Sequence, residues 1–240
     1  MCRMIGFVSR ERIPLRRYFV AAPHSLLHMS LHGKKAPHRH GFGYLWRTEE
    51  EAIALRRYGQ EDMEKVPEAL PDPLAVASTL AIGHVRKASP LYRVHTGATD
   101  AHPFAEWGVF LAHNGTIHDA DVLDPGPGID SQKLARWLAH AWWPRTPAGL
   151  AAALGKLLAT VRDFTAIDLL LTEGTSLYAL CCYSRNPDYY TLWVREGEDA
   201  VIVASEPVDG EPGWVPMGNR ELLWVTPDLK VHRRDISEAG

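Results

Sequence analysis

Two helical patterns lie back to back in the middle of a chain that otherwise reads as strands. Asp130 stands as an N-cap, and Leu134, Trp137, Leu138, Ala141 and Trp142 follow at helical spacing. Thr146-Pro147 is then a cap with a first-turn proline, and Leu150, Leu154, Leu157, Leu158 and Val161 mark one face. Before this pair, strand patterns cover 2–9, 41–46, 51–58, 79–86 and 107–113, with a short helix over 23–31. After it come 166–172, 176–183, 189–195, 200–204, 221–226 and 229–234, separated by turn residues. Strands, a helical pair, then more strands predict a layered α+β fold. Pro67, Pro71 and Pro73 punctuate a loop or short helical region. Residues 87–104 lack periodicity and read as a long irregular loop, a type of segment that often carries function.

At 240 residues the chain can bury a substantial core. Its net charge of -3 offers no electrostatic reason to expect nucleic acid or an acidic membrane surface. No apolar run reaches the roughly 18 residues needed to cross a bilayer, and no secretory signal is visible. Three cysteines, with neighbours Cys181 and Cys182 on opposite faces of a strand, suit a reducing compartment, so the expectation is cytoplasm. His32, His38 and His40 lie close together but lack cysteine or acidic partners at ligand spacing, so neither a metal nor another cofactor is expected.

Cys2 directly follows the initiator methionine and precedes an apolar run. Removal of Met1 would leave one residue with both a thiol and a free α-amine. The thiolate is a nucleophile, and the amine, with a pKa of about 8, is a base near neutral pH. Four further places could carry chemistry. Arg86 ends a strand at the start of the long loop, and its planar fork suits a bidentate carboxylate contact. His102, pinned by Pro103, could hold that loop or touch a ligand. Asn114-Gly115 follows a strand buried on both faces. It reads either as a hairpin turn or as a side-chain amide and a backbone N–H that together serve an oxyanion. Asp130 could bind a substrate ammonium group or simply cap its helix.

The motifs Cys-x-x-x-Gly-Phe (2–7), His-Val-Arg-Lys-Ala-Ser (84–89), His-Pro-Phe (102–104), Ala-His-Asn-Gly-Thr-Ile (112–117) and Ile-Asp-Ser (129–131) occur in this order. As an ordered set they resemble the class II glutamine amidotransferases, which are N-terminal-nucleophile (Ntn) hydrolases. Leu-Leu-Leu-Thr-Glu-Gly (169–174) and Val-Ala-Ser-Glu-Pro (203–207) are similar to the stand-alone members, among them the ergothioneine-pathway and glutathione-degrading γ-glutamyl hydrolases. The resemblance implies one amidotransferase domain over 1–240, folded as a four-layer αββα sandwich with two antiparallel β-sheets. It implies Cys2 as nucleophile with its own amine as base, and Asn114 and Gly115 as oxyanion hole. Arg86 would bind the α-carboxylate of a γ-glutamyl group and Asp130 its α-ammonium, with His102 and Ser89 shaping the pocket. Where the family often has an acidic residue before the Gly-Phe-Gly segment, this chain has His40, and Lys87 stands at a variable place. Three readings stay open: release of ammonia from glutamine to a separate acceptor enzyme, hydrolysis of a substituted γ-glutamyl amide, or an inactive relative that binds a γ-glutamyl ligand or a partner.

Overall fold

The computed structural model describes residues 2–63 and 76–236. The three prolines at 67, 71 and 73, and Met1 with its expected removal, lie outside the described residues. Among those described, the strands form two antiparallel sheets. The first has seven strands in the order β11 (Trp214–Pro216), β9 (Trp193–Glu196), β10 (Ala200–Ala204), β1 (Arg3–Pro14), β4 (Ala77–Val85), β2 (Gly41–Arg47), β3 (Ile53–Gly59). The second has six: β13 (Val231–Asp235), β12 (Glu221–Val225), β8 (Leu177–Cys181), β7 (Phe164–Thr172), β6 (Val109–Ile117), β5 (Phe104–Glu106).

Strand alternation sorts the apolar residues into three layers. On β1, Met4 and Val8 point at the second sheet, where they meet Ala112, Leu170, Leu177 and Ala179. Ile5 and Phe7 point the other way, onto Leu26 and Met29 of α1 (Leu26–His32) and onto Tyr18 and Phe19 of a π-helical turn at Arg17–Ala21. The outer face of the second sheet, including Leu111, Leu169 and Leu171, packs on α2 (Asp130–Ala141) and α3 (Pro147–Thr160) through Leu134, Leu138, Leu150 and Leu154. The result is the expected helix–sheet–sheet–helix order. No helix among the described residues is long and apolar enough to cross a membrane.

Three local expectations are corrected. Asn114-Gly115 is not a turn: both residues lie inside β6, opposite Asp168 and Ile167 of β7. A β-carbon on Gly115 would stand 1.9 Å from the Ala166 carbonyl oxygen, and its φ of +147° favours glycine, so close approach rather than chain reversal explains the residue. Asp130 is not the N-cap of α2: Ile129 holds that place, its N–H donating to Gln132 Oε1 at 2.9 Å, which frees the Asp130 carboxylate for other partners. Tyr189 and Tyr190, expected in a strand, close a short helical turn at Pro187–Tyr190.

Register sets up one end of the inter-sheet layer. Arg3 pairs with Val85, so Cys2 and Arg86 lie side by side at the same end of two central strands of the first sheet. The loop after β4 returns across β2, where a β-carbon on Gly43 would stand 2.1 Å from the His102 carbonyl oxygen. Glycine there lets His102 lie against the sheet.

Candidate active site

Cys2 is nearly buried, at 5% exposure, and is held from three sides. Its backbone N–H donates to Asn114 Oδ1 at 2.7 Å. Its carbonyl accepts from the Tyr189 hydroxyl at 3.3 Å. Its Sγ lies 3.9 Å from the Lys87 carbonyl oxygen. The adjacent Arg3 guanidinium covers the Tyr189 ring at 3.9 Å and donates to the Tyr189 carbonyl at 3.1 Å, which fixes the chain start against that aromatic.

Six of the seven site residues read from the sequence line one pocket of about 20 Å³: Cys2, Arg86, Ser89, His102, Gly115 and Asp130. The seventh, Asn114, touches the Cys2 nitrogen instead. Arg86 donates to the His95 carbonyl of the loop above it. Burial works against its charge, while Cys2, Asp100 and Asp130 work in its favour. Asp130 Oδ2 accepts from Ile117 N at 2.9 Å, tying the start of α2 to the end of β6. Ser89 Oγ is buried without a hydrogen-bond partner, as are both ring nitrogens of His102. Such groups are costly unless something fills the pocket they face.

Several residues that sequence reasoning passed over complete the site. The His84 ring lies tilted against that of His102 at 4.1 Å between centroids, and its Nε2 donates to the His113 carbonyl at 3.2 Å. His113 donates from Nε2 to Ala166 O at 3.2 Å and accepts at Nδ1 from Ser131 Oγ at 2.8 Å. Burial pushes all three histidines down, His84 to about 3, so the cluster is neutral near pH 7. Asp168, wholly buried between the sheets, accepts from Asn114 Nδ2 at 3.3 Å and from Cys182 N at 3.1 Å. Burial raises its carboxyl well above the usual range, and those hydrogen bonds only partly offset it. One signal for Asp168 was present in the sequence: a single carboxylate inside the run Ala166 to Leu171.

Beside this pocket lies an open cleft of about 790 Å³. Lys87, Ala88 and Ser89 line both, so the two share a wall. His40, noted above for its place before the Gly-Phe-Gly segment, also lines the cleft.

No protein-family model matches the chain. It is 29% identical over 152 residues to the γ-glutamyl-hercynylcysteine sulfoxide hydrolase of Mycobacterium tuberculosis, a match covering 63% of this chain and 61% of that relative. The enzyme of the same name from Mycolicibacterium smegmatis is 26% identical over 235 residues, covering 94% and 96% of the two chains. Among solved structures, a glutamine aminotransferase class-II domain protein from Silicibacter pomeroyi superposes with a TM-score of 0.63 at 18% identity, covering 98% of each chain. Glutamine PRPP amidotransferase from B. subtilis superposes with a TM-score of 0.68 at 22% identity, covering 99% of this chain and 50% of that one. In sequence and in fold this chain resembles the class II glutamine amidotransferases and their γ-glutamyl hydrolase relatives, and its paired antiparallel sheets between helical layers are the Ntn hydrolase fold.

Proposed function

We propose that the chain hydrolyses a γ-glutamyl amide, with Cys2 exposed as the N-terminal residue by loss of Met1. The observation that carries this reading is the meeting of Cys2, Arg86, Asp130, His102, Ser89 and Gly115 around one pocket, with Asn114 on the Cys2 nitrogen. A γ-glutamyl group carries a carboxylate and an ammonium at one end and the scissile carbonyl at the other. Arg86 supplies the cation and Asp130 the anion. The freed α-amine, oriented by Asn114 Oδ1, takes the Cys2 thiol proton as sulfur attacks the carbonyl carbon. Gly115 N–H and the second hydrogen of Asn114 Nδ2, whose first goes to Asp168, stabilise the oxyanion. Collapse expels the amine, which leaves with a proton, and water then cleaves the γ-glutamyl thioester to glutamate.

A pocket of about 20 Å³ holds roughly one water molecule, so the glutamyl group enters only when the loop over Arg86 moves. The Arg86 guanidinium then exchanges the His95 carbonyl for the substrate carboxylate. The smallness of the closed pocket and the partnerless atoms of Ser89 and His102 both support such an opening.

The test is a pair of measurements on protein whose N-terminus has been checked by mass spectrometry. Glutamate release from γ-glutamyl amides should require an N-terminal Cys2, and Cys2→Ala should reduce it by at least about a thousandfold. Turnover by protein that retains Met1, or by Cys2→Ala, would refute the mechanism.

A further inference from the structure

The glutamyl pocket leaves the large cleft across the shared Lys87–Ser89 wall without a role. Its lining includes Lys35, Lys87, Arg93 and Arg185, together with His40 and His118, and among the described residues contains no Asp or Glu. Composition does not explain this, because the chain carries 29 acidic against 26 basic residues. Nor does local sequence: Lys35 follows α1, Lys87 and Arg93 belong to the loop after β4, and Arg185 precedes the turn at Pro187–Tyr190. Three separated segments bring cations to one concavity, where low-dielectric walls concentrate their field. That field is felt locally. Burial is the main cause of the lowered His40 imidazole, and Arg86, Lys87 and Arg93 add to it.

The shared wall fixes how the cleft relates to the reacting bond. Lys87 carries the carbonyl that faces Cys2 Sγ, and Thr116, on the cleft, directly follows Gly115, on the pocket. A glutamyl group held by Arg86 and Asp130 would therefore send the nitrogen substituent of its amide past Lys87–Ser89 into the cleft. Ammonia needs none of this space, and about 790 Å³ is the size of a pocket for a much larger group. Resting on the γ-glutamyl reading above, we propose that the cleft is the leaving-group subsite and that it selects an amine bearing a carboxylate, as in a γ-glutamyl amino acid or peptide.

The experiment compares kcat/KM for γ-glutamylglycine, γ-glutamylalanylglycine, γ-glutamylethylamide and glutamine. Either carboxylate-bearing compound should exceed the ethylamide by about tenfold or more at low salt, the value of one charge-assisted contact. The faster of the two tells whether an amino acid or a peptide fits. Raising NaCl from about 20 to about 500 mM should shrink the preference severalfold, since it screens an exposed cleft. The double variant Arg93→Gln, Arg185→Gln, at two exposed positions, should shrink it by about fivefold or more. Equal kcat/KM for the ethylamide and both carboxylate-bearing compounds, or a preference that neither salt nor the double variant reduces, overturns the subsite while leaving γ-glutamyl hydrolysis standing. Cleavage of none of the four overturns both.

Discussion

Asp168 shows how much a single buried side chain is asked to do at this site. It is the acceptor for Asn114 Nδ2 and for Cys182 N, both removed from water. Asp168→Ala leaves two buried donors without a partner, which should cost roughly 2–4 kcal/mol in urea denaturation. Asp168→Asn retains an acceptor, and burial already drives the native carboxyl toward its neutral form, so it should cost under about 1.5 kcal/mol. Turnover should follow the same order, because Asn114 orients the Cys2 nitrogen. Equal activity in the two variants would remove Asp168 as a positioning residue. This residue was partly legible in the sequence as a carboxylate inside an apolar run. Its partners were not, since Asn114, Cys182 and Asp168 are far apart in the chain and meet only through pairing of β6 with β7 and the fold of the segment after β8.

Among the strands, β6 is the one the site depends on most. One face of it, through Val109, Leu111 and Ile117, packs on the helical layer, and the other presents Asn114 to the Cys2 nitrogen. The nearly continuous apolar run that predicted a buried strand was sound, and the Asn-Gly pair misled because it is also the commonest hairpin signal. Periodicity carries no information about whether a glycine reverses the chain or lets a neighbouring carbonyl pass. Gly115→Ala is the direct test. The added carbon would collide with the Ala166 backbone in a conformation that disfavours side chains. It should cost at least about 3 kcal/mol in urea denaturation and lower soluble yield. A stability within about 0.5 kcal/mol of the parent would mean that β6 and β7 are not apposed as described.

The whole molecule has buried imidazoles that make its stability depend on pH. Burial is the main cause that holds His38 and His84 at about 3, and it holds His102 well below the ordinary value. In the unfolded chain these groups take up protons below about pH 6.5, while the native protein does not until far lower. Stability is therefore fully present above about 6.5 and is lost as pH falls toward 3. Each histidine contributes up to about 1.4 kcal/mol per pH unit in that window. Urea midpoints should drop clearly between pH 7 and pH 5.5, and an unchanged midpoint would show that these rings are not buried and neutral.

The ordered strands and the helical pair, and Cys2, Arg86, Asp130 and the Asn-Gly pair as candidates for chemistry, could be read along the chain because they are local: side-chain period and functional-group type need no partner. The helical cap at Thr146, whose Oγ1 accepts from Gly149 N at 3.1 Å, was legible for the same reason. The Asn114–Asp168 anchor, the contact of His84 with His102, Tyr189 against the chain start, and the cationic cleft assembled from three segments were not legible. Each is a contact between residues whose separation in sequence is unrelated to their separation in space, and only strand pairing, as of Asn114 with Asp168, and the packing of the two sheets with their loops set that distance.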